Sequence, residues 1–213
     1  MVAADATIGD AGGAPLPVAA SLVGFRDVAA VVSDAGDGAG ATWRRTPAPP
    51  DLAAYRAVVG AVFANHTIVP APPGVVFRTH DAVVRWMELH YVVLSDAMAH
   101  VDGRALGRVH VEGRPGLGVG TASPTHQQVE IEAVAGAVFR SLARLAAGWT
   151  TIQEKAPAAG DVVRASASFL VDRGRWSEFE TAVAAEATRD PAFGVWVSGP
   201  WPPYDFVRMQ FGG

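Results

Sequence analysis

The chain has 213 residues, with 17 Lys and Arg against 21 Asp and Glu, and 50% of its residues are hydrophobic. That length builds one large domain or two of about 100 residues each, and so apolar a composition excludes disorder over most of the chain. A formal net charge of -4 lacks the basic field that phosphate contacts need, so nucleic acid is not an expected partner.

Two short apolar runs, Val18 to Phe25 and Val28 to Ser33, are separated by Arg26-Asp27 and read as a pair of strands. They end in Asp34-Ala35-Gly36-Asp37-Gly38, where Gly supplies positive φ and Asp bonds its own backbone. After Pro47 to Pro50, Asp51 is a candidate N-cap, and Leu52, Tyr55, Val59 and Val62 follow at helical spacing. Ile68-Val69-Pro70 and Val75-Val76-Phe77 read as extended, joined by a Pro-Pro-Gly turn. A second helix is expected from Thr79, with the stripe Val84, Met87, Tyr91, Leu94 and Met98, ending before Asp102-Gly103. Residues Arg108 to Glu112 alternate polar and apolar, the pattern of a strand with one buried face. The glycines between Gly113 and Gly120 then predict a linker over residues 113–123.

Ser123-Pro124 has the form of a cap followed by proline at the first helical position. Ile131, Val134, Val138, Leu142, Leu145 and Trp149 continue as one long helical stripe. Asp161 to Asp172 alternates as a strand, Trp176, Phe179 and Val183 mark another helix, and Phe193 to Ser198 is a closing strand. Helices and strands interleave too closely for a pure bundle or sandwich. The expected fold class is α+β: two small domains with ferredoxin-like (split βαβ) sheets covered by helices. The domains would span residues 1–112 and 124–213.

Candidate chemistry is sparse. With no cysteine there is no disulfide framework, thiolate nucleophile or Cys-ligated zinc, as expected of a cytoplasmic chain. His80, His90, His100 and His110 recur every ten residues, but ten residues turn a helix by about 280°, so they share no face. No metal site and no cofactor are expected. Gly116-Leu117-Gly118-Val119-Gly120 lacks the Lys-Ser/Thr ending of a phosphate loop. Glu130/Glu132 and Glu178/Glu180 stand two apart on helices and point different ways, so neither pair can flank one bond. No Gly-x-Ser-x-Gly elbow occurs. No run approaches 18 uncharged apolar residues, and Asp5 and Asp10 precede the first basic residue, Arg26, so neither a membrane helix nor a secretory leader is expected.

The most specific stretch runs Val197-Ser198-Gly199-Pro200-Trp201-Pro202-Pro203-Tyr204-Asp205-Phe206-Val207. Prolines fix φ and lack an N–H, so Pro200, Pro202 and Pro203 do not belong inside a central strand. On that stiff frame Trp201, Tyr204 and Phe206 are either anchors for a partner or rings that fold back and pin the last strand to the core.

This stretch resembles the closing signature of the GvpL/GvpF family of gas vesicle proteins. Val31-Val32-Ser33, Ile68-Val69-Pro70 with Phe77, and Ser168-Phe169-Leu170-Val171 agree with the family in order and spacing. Departures are Pro72-Pro73-Gly74 after the central proline, an opening strand without aromatics, and Tyr55 where a histidine is common. The resemblance implies a non-enzymatic accessory protein of gas vesicle assembly, cytoplasmic and associated with the vesicle. It would bind the major shell protein, with other accessory proteins as further partners and Trp201, Tyr204 and Phe206 as candidate contacts. Two alternatives remain on the residues alone: an enzyme on a ferredoxin-like scaffold, with a concave polar pocket, or a binding module unrelated to vesicles.

Overall fold

A computed structural model describes residues 1–3, 19–34, 49–114, 124–153, 164–207 and 209. The chain divides into two compact units, Met1–Asp102 with Pro202–Gly213, and Gly103–Trp201. The linker expected at 113–123 lies, from residue 115, outside the described residues, as do Ser123 and Asp161.

In the first unit, β1 (Val2–Ala3), β2 (Ala20–Phe25) and β3 (Val28–Ser33) form an antiparallel sheet in the order β1-β3-β2. The β2–β3 hairpin turns at Arg26-Asp27, with Arg26 at φ 55°. Helix α1 (Pro49–Asn65) starts before the expected cap, which puts the Asp51 carboxylate in the first turn, favourable to the helix dipole. Residues 67–72 form no regular strand, and Val75 makes an isolated bridge only.

The helix expected over 79–101 is two helices, α2 (His80–Leu89) and α3 (Tyr91–Val101). The Thr79 hydroxyl caps α2 by accepting from the Ala82 N–H. The break falls at His90, whose Nδ1 lies 2.8 Å from the Trp86 carbonyl oxygen and whose ring stacks on Trp86 at 4.5 Å. The His90 N–H also donates to the Trp86 carbonyl, at 3.1 Å, and the Leu94 N–H to the His90 carbonyl, at 2.9 Å. Val83, Trp86 and Met87 are buried before the break, and Leu94 and Val101 after it. With Val23, Val28, Ala30 and Val69 they make the core of this unit.

The second unit runs β4 (Arg104–Gly113), α4 (Pro124–Leu142), β5 (Gly148–Ile152), β6 (Arg164–Asp172), α5 (Trp176–Ala187) and β7 (Phe193–Trp201). Its antiparallel sheet has the order β5-β6-β4-β7. That βαββαβ order with β4 and β6 central is the ferredoxin-like, split βαβ arrangement. The strand read from Arg108 to Glu112 pairs with β6 and β7, so it groups with this unit. Alternation reveals that one face is buried; it does not reveal which strands lie alongside.

Helices α4 and α5 pack on one face of this sheet. Ile131, Val138, Phe139 and Leu142 from α4 and Phe179 and Val183 from α5 meet Val109, Val111, Ala167, Phe169 and Val171. The stripe expected to reach Trp149 ends at Leu142. A 3₁₀ turn, Ala143–Leu145, follows, and Trp149 sits in β5 with its ring stacked on Phe169. The stripe continued because Phe169 and Phe139 face the same core that α4 faces.

Candidate protein-interaction site

Strand β7 is an edge strand, so Pro200 removes no ladder bond on its open side. Opposite it, Arg108 pairs with Ser198 and Leu106 with Trp201, so β7 holds one more residue than β4 across this interval. The extra residue is a β-bulge at Gly199-Pro200. Gly199 has φ 140°, and the Gly199–Pro200 peptide is cis. A Cβ on Gly199 would stand 2.7 Å from Cη2 of Trp176 and 2.8 Å from the Leu106 carbonyl oxygen. The glycine of the signature therefore admits Trp176 beneath the end of β7.

Trp201 closes β7 with half of its surface, 50%, exposed. Its indole N–H donates to the Ser198 hydroxyl oxygen at 3.3 Å. Pro202 and the residues after it belong to the first unit. Pro202 and Pro203 are buried, Tyr204 is 38% exposed, and Phe206 and Val207 are half-buried. Val207 and Met209 pack against the core of that unit.

Tyr204 is held by its hydroxyl, which hydrogen-bonds that of Tyr55. Tyr55 donates its single proton to the Ala71 carbonyl oxygen at 2.6 Å. Burial, reinforced by the neighbouring Tyr204 hydroxyl, pushes the Tyr55 phenol well above the usual tyrosine range. Burial also raises Tyr204, against the pull of the Arg56 guanidinium. Of the three candidate contacts, Tyr204 and Phe206 thus lie together in the first unit, and Trp201 is placed in the second.

A further apolar surface was not singled out by the sequence. Leu89 (80% exposed), Val92 (70%) and Val93 (53%) flank the α2–α3 break at spacings of three and four. The available signal was that all three fall off the expected stripe. Val129 on α4 and Trp149 on β5 are also exposed, in the second unit.

The histidines stay apart in role: His90 stacks on Trp86, and His110 Nδ1 lies 2.8 Å from the Ser166 hydroxyl. Among the described residues no group of three or more His, Asp or Glu is placed to hold a metal. None of the described helices is long and apolar enough to cross a membrane.

The fold is that of solved gas vesicle proteins. The crystal structure of GvpF from Anabaena sp. PCC7120 matches with a TM-score of 0.71 at 15% identity, over 90% of this chain and 86% of that one. GvpF from Microcystis aeruginosa matches with a TM-score of 0.62 at 14% identity, over 85% of each chain. No curated protein sequence matches the chain significantly. The family model described as gas vesicle synthesis protein GvpL/GvpF matches residues 3–114 and 121–208, and the chain belongs to that family.

Proposed function

We propose that this protein is a non-enzymatic accessory factor of gas vesicle assembly, acting in the cytoplasm and at the vesicle. It binds the major shell protein, and other gas vesicle accessory proteins are further partners. Transient cover of apolar shell-protein surface would let subunits add to the growing vesicle before they aggregate. The observation that supports this reading is that a member of a gas vesicle synthesis family keeps large apolar side chains at its surface. Trp201 and Tyr204 are the candidate contacts already marked by the sequence, with Phe206 half-buried beside Tyr204. Rigid aromatic rings of this kind are common anchors of interfaces.

The test is retention of the purified protein by the major shell protein, compared with Trp201→Ala and with a Leu89→Ser, Val92→Ser, Val93→Ser triple variant. Loss with Trp201→Ala alone places the contact at the end of β7. Loss with the triple variant alone moves it to the α2–α3 surface. Absence of any retention by the unsubstituted protein overturns direct shell binding.

A further inference from the structure

Along α2 and α3 the residues turned away from the core form a stripe of their own. Val83, Met87, Leu94 and Val101 are buried, whereas Arg85, Leu89, Val92, Val93 and Asp96 are exposed. The exposed set advances by three and four residues, as the buried set does, and keeps that step across the break at His90. Two backbone bonds span the break, from the His90 N–H to the Trp86 carbonyl and from the Leu94 N–H to the His90 carbonyl. Leu89, Val92 and Val93 are the apolar middle of the stripe, and Arg85 and Asp96 are its charged ends. Adjacent exposed apolar side chains rimmed by polar ones mark interaction surfaces.

The order of the charges selects the partner. Arg85 and Asp96 stand equally far in sequence from the midpoint between His90 and Tyr91, and so do Leu89 and Val92. A two-fold axis through that midpoint, perpendicular to the helices, sets two copies of the stripe antiparallel. Leu89 then faces Val92 of a second copy, with Val93 beside it, and Arg85 faces Asp96 of the second copy. Symmetry repeats every contact, so both ends of the stripe gain an ion pair, as a self-complementary interface requires. A parallel alignment would instead put Arg85 against Arg85 and Asp96 against Asp96. Glu88, also exposed, follows Arg85 by three residues and adds negative charge on the same side of its guanidinium.

We propose that the α2–α3 stripe is a self-association surface, on which two copies of this chain pair antiparallel about a two-fold axis at the break. The proposal goes beyond shell binding and stands without it, because it concerns the purified chain alone. Stable interfaces use about 20–30 residues a side, more than this stripe supplies, so the dimer forms as concentration rises and dissociates on dilution.

Sedimentation equilibrium of the full-length protein, from about 1 μM to about 1 mM, covers the affinities of such an interface. The expected result is a reversible monomer–dimer equilibrium within that range. Val92→Ser, at an exposed position, weakens it. Arg85→Glu sets acid against Asp96 at both ends of the dimer, and Asp96→Arg sets base against Arg85. Each single reversal raises the Kd about tenfold, since a weak surface pair becomes a repulsion twice over. The double variant, with the two charges exchanged, recovers the original Kd. Circular dichroism confirms that each variant is folded. The proposal is overturned if the chain stays monomeric throughout, or if neither Val92→Ser nor the single reversals change the Kd. It is equally overturned if exchanging the charges fails to recover what the single reversals lost.

Discussion

The ring of Trp176 occupies the space a side chain on Gly199 would need: a Cβ there would lie 2.7 Å from Cη2 of Trp176. Two constraints meet at this position, because φ is 140° and the Leu106 carbonyl oxygen would be 2.8 Å from the same Cβ. Gly107 faces the same ring less tightly, with contacts of 3.1 to 3.3 Å to Phe179 and Trp176. Gly199→Ala is expected to destabilise the protein by about 2–4 kcal/mol, from strain at that φ plus overpacking. Gly107→Ala should cost only about 1–2 kcal/mol, by overpacking alone. Urea unfolding checks both, and Trp176→Phe should relieve part of the Gly107→Ala loss, with Phe179 still 3.1 Å from the new Cβ, but leave most of the Gly199→Ala loss, since it alters neither φ nor Leu106.

The Tyr55–Tyr204 pair makes the first unit sensitive to alkali. Both phenols have pKa values raised in the folded state, chiefly by burial. In the unfolded chain they ionise near the ordinary tyrosine value of about 10. Folding keeps protons on that the unfolded state releases, so their contribution is complete below pH ~10 and falls as pH rises above it. Melting temperature measured from pH 8 to 11.5 should drop faster above pH 10 than in Tyr55→Phe. A parallel decline in both proteins would rule out this origin.

Glu186 ties the two helices of the second unit together. Its carboxylate is buried, accepts from the Ser141 hydroxyl at 2.6 Å and pairs with the Arg189 guanidinium at 3.0 Å. Ser141→Ala removes one bond to a charged group and should cost about 1.5–3 kcal/mol. Glu186→Gln keeps an acceptor for Ser141 and loses only the charge of a pair whose arginine is largely exposed, so about 1 kcal/mol is expected. Reversal of that order in thermal unfolding would mean that the ion pair outweighs the hydroxyl bond.

At the β2–β3 turn two effects oppose. Arg26 holds φ 55°, while its guanidinium lies 4.5 Å from the centroid of Tyr91, whose hydroxyl donates to Asp27 at 2.7 Å. Arg26→Gly relieves about 1 kcal/mol of left-handed strain and removes about 0.5–1 kcal/mol of exposed cation–π attraction. The net change should stay within about 0.5 kcal/mol by these magnitudes. Tyr91→Phe removes the Asp27 bond without relief and should destabilise by about 1 kcal/mol.

Trp201 separates stability from surface chemistry. Half of its surface is already exposed and its one indole bond, to Ser198, is long. Complete burial makes a Trp→Ala change cost about 3–5 kcal/mol, so Trp201→Ala should cost about 1–2 kcal/mol, scaled to the half that is buried. A loss above 3 kcal/mol in urea unfolding would assign Trp201 to the core.

Local pattern was enough for much of this architecture. Alternation at 108–112 and 165–171, the helix start at Thr79, and the α1 and α5 stripes all predict elements that the chain forms. The closing signature was legible as a family mark and as a proline-stiffened segment of three aromatics. Sequence proximity could not say that Trp201 ends a strand of one unit while Tyr204, three residues on, bonds Tyr55 in the other. Nor could it separate Trp149 from the α4 stripe, because helix and strand present that position to one shared core. The α2–α3 break at His90 leaves no mark in the apolar stripe, whose steps of three and four run through it from Met87 to Tyr91 and Leu94. Periodicity records which side of an element is dry. Which distant segment keeps it dry is decided only when the sheets pair and the last residues return to the first unit, because those contacts join residues that no local spacing relates.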